Sequence, residues 1–168
     1  MKYTLPPRSE RLLLEEFDSE QFKTALSAFG GKRLSGALVA TFEGISPVFA
    51  DEAVEYSTRG DDKAVAELSD NELDRLCFFF SKEAEKLRQR RLAFTIIKTP
   101  DGQFKDFCFT EIHHFGTLMV TKQCESACAL LDEFYSQRDR LERIKQKAQD
   151  LFKLIVSLSD RTARRVAN

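Results

Sequence analysis

The sequence predicts an α+β fold that is mostly helical: a helix-hairpin-helix domain, a small antiparallel β-hairpin or sheet, then a long coiled-coil helix. Three observations carry that expectation. Leu34, Leu38 and Phe42 recur every four residues ahead of Gly44-Ile45-Ser46-Pro47, a pattern for two helices joined by a tight turn. Residues 94–98 and 104–109 turn β-branched and aromatic around Pro100-Asp101-Gly102. Beyond them a 3-4 apolar spacing runs for close to five heptads without proline or glycine.

Residues 1–92 read as the helical domain. After the Pro6-Pro7 leader, Asp18 or Ser19 is placed to cap a helix carrying Phe22, Leu26 and Phe29, with Gly30-Gly31 as its stop. In the hairpin that follows, Gly44 supplies a backbone angle other residues resist, Ser46 is the N-cap and Pro47 the first helical residue. Ala50 and Ala53 are small enough for the two helices to approach closely. A polar turn over 58–62 leads to Ser69-Asp70-Asn71-Glu72, a capping box. The helix it opens carries Leu73, Leu76, Cys77, Phe80, Ala84 and Leu87, and its basic end, 88–91, suits the helix dipole.

Residues 93–123 form the β segment: a hairpin of 94–98 and 104–109, with 117–121 as a candidate third strand. A lone hairpin is marginal in water, so this sheet is expected to lean on the helices or on another domain. Residues 124–168 read as the first arm of a coiled coil, with Leu141, Ile144, Leu151, Ile155 and Leu158 on its seam. A helix over 125–168 would be about 65 Å long. With no obvious partner for the seam in the sequence, two copies are expected to pair through it, or a second arm to follow Asn168.

The hairpin carries the functional expectation. Backbone N–H groups at a helix start have no intrahelical partner and suit a phosphate. Gly30, Gly31, Lys32, Arg33, Gly44, Ile45 and Ser46 are therefore the candidate contacts to a nucleic acid backbone, adding positive charge to free amides. An ordinary αα-corner without a ligand fits the same pattern. Charge points the same way. The whole chain has a net charge of −1, yet residues 136–168 hold nine Lys or Arg against four acids, which leaves −6 on 1–135. A basic tail on an acidic body is expected to meet a polyanion, although a solvated coiled-coil surface is also rich in Lys and Arg.

Other classes are disfavoured. No apolar run approaches a membrane span, and the N-terminus lacks the apolar core of a signal peptide. Four cysteines at 77, 108, 124 and 128 form no CxxC pair and read as reduced thiols of a cytoplasmic protein. Cys124 and Cys128, read as lying in a helix start, with His113-His114 are the one conceivable zinc set; neither metal nor cofactor is expected. His113 and His114 have no sequence partner at a catalytic spacing, so one ring is expected buried against the β-hairpin and the other exposed. No catalytic residue is expected, and the chain is read as a non-enzyme.

Tyr3-Thr4-Leu5-Pro6-Pro7, Gly31-Lys32, Phe42-Glu43-Gly44-Ile45-Ser46-Pro47, Asp106-Phe107, Leu131-Asp132-Glu133-Phe134-Tyr135 and Lys145-Gln146-Lys147 together resemble the NFACT family. The resemblance covers almost the whole chain in order. It implies the middle of a longer protein, after a glycosylase-like N-terminal β-domain and before the return arm and an RNA-binding domain. It further implies ribosome-associated quality control: binding of the large ribosomal subunit (rRNA) and tRNA, and C-terminal alanine tailing of stalled chains. The family's Asp-Arg pair for tRNA lies in the preceding domain and nothing here matches it, so an architectural share is expected. Two alternatives stand beside this reading. Family members also carry the name fibronectin-binding protein A, which implies adhesion. DNA glycosylases join a similar helical hairpin to a β-hairpin, but this chain lacks their N-terminal nucleophile and zinc cysteines.

Overall fold

The structure is a computed structural model that describes residues 10–166; the leader segment 3–7 and the side chains of Arg164 and Arg165 lie outside the described residues. The fold is α+β and mostly helical, with a three-stranded antiparallel sheet and a long C-terminal helix. A short strand β1 (Leu12–Leu13) precedes α1 (Ser19–Ser27). Asp18 caps α1, accepting from the amides of Glu20 and Gln21 at 3.1 and 2.9 Å. The helix ends before Gly30-Gly31, earlier than expected, and neither glycine takes a positive φ. Tertiary pairing supplies the reason. Gly30 and Lys32 carbonyls accept from Ala66 and Val65 amides at 3.0 Å, and Leu34 N–H donates to Lys63 at 2.9 Å. Segment 30–34 is thereby laid along segment 63–66 rather than closed as a glycine cap.

The helical hairpin forms as its residues dictate. α2 (Leu34–Thr41) and α3 (Pro47–Thr58) flank a two-residue strand β2 (Phe42–Glu43), which pairs in parallel with β1. Gly44 takes φ 81°, and Ser46 Oγ accepts from Phe49 N–H at 3.3 Å. Leu34, Leu38, Phe42, Ala50 and Ala53 are fully buried, so the small residues sit where the helices meet. α4 (Asp70–Arg88) opens with the expected capping box: Ser69 N–H donates to Glu72 at 2.8 Å and Glu72 N–H returns to Ser69 Oγ at 3.4 Å. Phe80 from this helix is the hub of an aromatic core, its ring centroid 4.6 Å from Phe42, 5.1 Å from Phe22 and 5.9 Å from Phe17. Each such ring removes a large apolar area from water, the dominant favourable contribution to folding.

β3 (Phe94–Lys98), β4 (Phe104–Cys108) and β5 (Val120–Cys124) form the sheet in the order β4-β3-β5. Successive side chains on β3 face opposite ways. Ile97, with Cys108, joins the helical core, while Ile96 packs with Leu130 and Phe134 of the C-terminal helix. The sheet therefore leans on the helices, as its size required.

Three expectations in this region need correction. The third strand begins at Val120, not at residue 117, because 113–118 close a turn around Gly116 (φ 52°). What recruits β5 is the free backbone edge of β3, so its side chains stay largely exposed and apolar content is a poor guide. Cys124 ends that strand and does not open a helix. α5 starts at Ala127 rather than residue 125, with Ser126 Oγ accepting from Ala129 N–H at 3.1 Å.

α5 (Ala127–Val166) has 40 residues and is about 60 Å long. Its root is held by Phe134 against Phe107 at 4.8 Å and by Glu133, which accepts from Lys122 at 2.7 Å and lies 3.5 Å from Lys98. Further along, the seam residues Leu141, Ile144, Leu151, Ile155 and Leu158 are all exposed.

Candidate nucleic-acid interface

The structure divides the seven hairpin positions between the two ends of α2, which spans eight residues and so separates them by about 12 Å. At the first end Gly31, Lys32 and Arg33 are exposed and Gly30 is half-buried. Lys32 Nζ rests 4.8 Å above the Phe29 ring, and Arg33 occupies the N-cap position with no side-chain capping bond. The amides here are not all free. Asp62 accepts from Ser35 N–H and Ser35 Oγ–H, both at 2.8 Å, so the chain's own carboxylate occupies the start of α2. That carboxylate satisfies an orphan donor and the positive end of the helix dipole, the two features that attract a phosphate.

At the other end Gly44 is exposed, Ile45 is buried and Ser46 is half-buried as the cap of α3. Gly44 and Ser46 rim an apolar cavity of about 260 Å³ together with Phe94, Phe107, Phe109 and Leu130. This end of the hairpin faces the sheet and the root of α5. The cationic end is the one that Lys32 and Arg33 leave open to solvent.

A second polar constellation joins residues far apart in the sequence. Glu52 on α3, 7% exposed, accepts from the backbone N–H groups of His113 and His114 at 2.8 and 2.9 Å. Its two oxygens also meet His113 Nδ1 at 3.0 Å and His114 Nδ1 at 2.9 Å. A carboxylate only accepts, so both imidazoles present Nδ1–H to it. Burial alone would raise the Glu52 pKa; the hydrogen bonds from His114 and His113 outweigh it and bring it down to about 2. The His113 ring is exposed, as expected of one of the two, while the His114 ring is 11% exposed and meets Glu52 of α3 and Phe115. The partners stand 61 and 62 residues apart. One local signal existed: Glu52 is the one charged residue on the buried face of α3, between Phe49 and Ala53.

Among the described residues no group of three or more His, Cys, Asp or Glu is placed to hold a metal ion. Cys124 is half-buried at the strand end and Cys128 is exposed on α5. Likewise, no helix among the described residues is long and apolar enough to cross a membrane. Along α5, the basic residues Arg138, Arg140, Arg143, Lys145, Lys147, Lys153 and Arg161 are exposed.

The family model of the NFACT N-terminal and middle domains matches residues 1–168. Over 164 residues, 98% of the chain, the sequence is 26% identical to the Rqc2 homolog RqcH of Bacillus subtilis (strain 168). The chain spans 26% of the length of that relative. Because that family model matches the chain over residues 1–168, this chain belongs to the NFACT family.

Proposed function

We propose that this chain is an RNA-contacting, architectural segment of a ribosome-associated quality control factor. The observation that carries the reading is the match to the NFACT N-terminal and middle domains over residues 1–168. Similarity to the Rqc2 homolog RqcH supports it. In this reading the whole protein works in the cytoplasm on the large ribosomal subunit and tRNA, promoting C-terminal alanine tailing of stalled chains. The chain itself contributes binding and reach, with no catalytic step. Lys32 and Arg33 at the start of α2 supply exposed charge toward an RNA backbone, and α5 carries a basic arm away from the core.

The test is co-sedimentation of the full-length protein with large ribosomal subunits across a salt series. Lys32→Glu combined with Arg33→Glu is expected to weaken association, most steeply at low salt, because phosphate contacts release counterions. Both side chains are exposed, so the melting temperature should stay unchanged. Association equal to that of the unsubstituted protein at every salt concentration sinks this assignment.

A further inference from the structure

Two aromatic rings stand in solvent where α3 meets α4. Phe78 is 59% exposed and Tyr56 is 45% exposed. Their centroids lie 6.4 Å apart with planes within 18°, and buried Phe79 backs Tyr56 at 5.4 Å. Phe79 and Phe80 already supply the rings that α4 gives to the core, so Phe78 has no share in that packing.

Cations flank Phe78 along α4. Arg75, Phe78 and Lys82 recur at helical spacing and so share one face of α4. Toward the end of the helix that face opens into a groove lined by Phe78, Lys82, Lys86 and Arg91, among others. Its acid is already engaged: Glu85 takes Arg88 at 3.3 Å and Gln89 at 2.5 Å, while Lys86 is held by Glu83 at 2.6 Å. Among the described residues, no ion pair engages Arg75, Lys82 or Arg91. The backbone brings Arg91 to the groove. Arg90 takes φ 56°, a conformation glycine adopts more easily, and Arg91 N–H turns back to the Lys86 carbonyl at 2.9 Å.

We propose that this face is a stacking platform for an unpaired base of single-stranded RNA, with Phe78 under the base and Lys82 and Arg91 at the flanking phosphates. The inference rests on the RNA-binding reading above and names a second contact, separate from Lys32 and Arg33. A ligand must offer both a flat π face and nearby negative charge to use this surface, which an unstacked nucleotide does. An acidic peptide would use the cations and leave the rings idle. A purely apolar partner would bury unpaired charge, at a steep cost.

The chain has no tryptophan, so Phe78→Trp installs a single indole reporter at the proposed contact. Titration of that variant with a short oligoadenylate is expected to quench its emission through base stacking. Phe78→Ala should bind the same oligonucleotide roughly tenfold more weakly with an unchanged salt slope, since stacking is not an ionic contact. Lys82→Ala should instead reduce the slope. A blunt RNA duplex and polyglutamate should bind the unsubstituted chain and Phe78→Ala alike. Unquenched emission at saturation, or equal affinity of Phe78→Ala for oligoadenylate, overturns the platform alone. A loss of polyglutamate binding in Phe78→Ala as large as the loss for oligoadenylate shows that the ring reads no base, and overturns the platform as well. Failure of the unsubstituted chain to bind either RNA removes the RNA reading together with the platform.

Discussion

Glu52 shows how one buried carboxylate can organise a loop. Two backbone N–H groups and two imidazoles converge on it, which ties His113 and His114 to α3. Its pKa of about 2 against an ordinary 4.5 means that the ionised form is bound better in the folded state. The stabilisation is complete above pH 4.5 and is lost as pH falls from there toward 2, amounting to about 3 kcal/mol. Glu72, held down to about 2 by Lys63 and Ser69, titrates in the same window, so the comparison must be made against a Glu52 variant. Glu52→Gln is expected to lower the urea midpoint at neutral pH by an amount equivalent to about 1–3 kcal/mol, leaving buried donors short of an acceptor. Its stability should also fall less on acidification than that of the unsubstituted chain. Parallel acid profiles for the two proteins would show that Glu52 is not the titrating group.

At the scale of elements, α2 and α4 are started by different means. Ser69 and Glu72 form a capping box readable from four consecutive residues. Asp62 caps α2 from 27 residues beyond Ser35, so no local window reveals it. Asp62→Ala is expected to cost about 1 kcal/mol, the usual loss for a helix cap, measured as a shift in urea midpoint. The same change removes a negative charge beside Lys32 and Arg33 and vacates the start of α2. Affinity for a duplex RNA at low salt should therefore rise although stability falls. Affinity and stability falling together would place this helix start away from the RNA.

For the whole molecule, the decisive feature is an arm that leaves its core early. α5 is bound through Leu130, Phe134 and Glu133, whereas Leu141 through Leu158 expose the seam to water. An apolar stripe of that length is unfavourable when left wet. Sedimentation equilibrium at roughly tens of micromolar is expected to show self-association, with weight-average mass rising with concentration. A truncation after Arg140 should be monomeric with the same melting midpoint, because it retains every contact at the root. A 168-residue chain that stays monomeric and matches the truncated one would mean that the seam does not pair copies.

Elements whose causes lie within a few residues were legible from the sequence. Gly44 for the turn, Ser46 and Pro47 for the start of α3, the Ser69–Glu72 box and the 3-4 spacing of α5 all act locally, and each appears as read. The family resemblance was legible for a related reason, since its motifs are runs of adjacent residues. Tertiary structure alone decided what depends on distant partners. It moved the third strand to Val120 by offering the edge of β3, and it replaced a glycine cap at Gly30-Gly31 with a ladder to 63–66. It also filled the start of α2 with Asp62, split the candidate contacts between the two ends of that helix, and gathered Glu52, His113 and His114. Local propensity sets which elements form; hydrogen-bond satisfaction and burial, which act between segments far apart in the chain, set which faces of them remain free to bind.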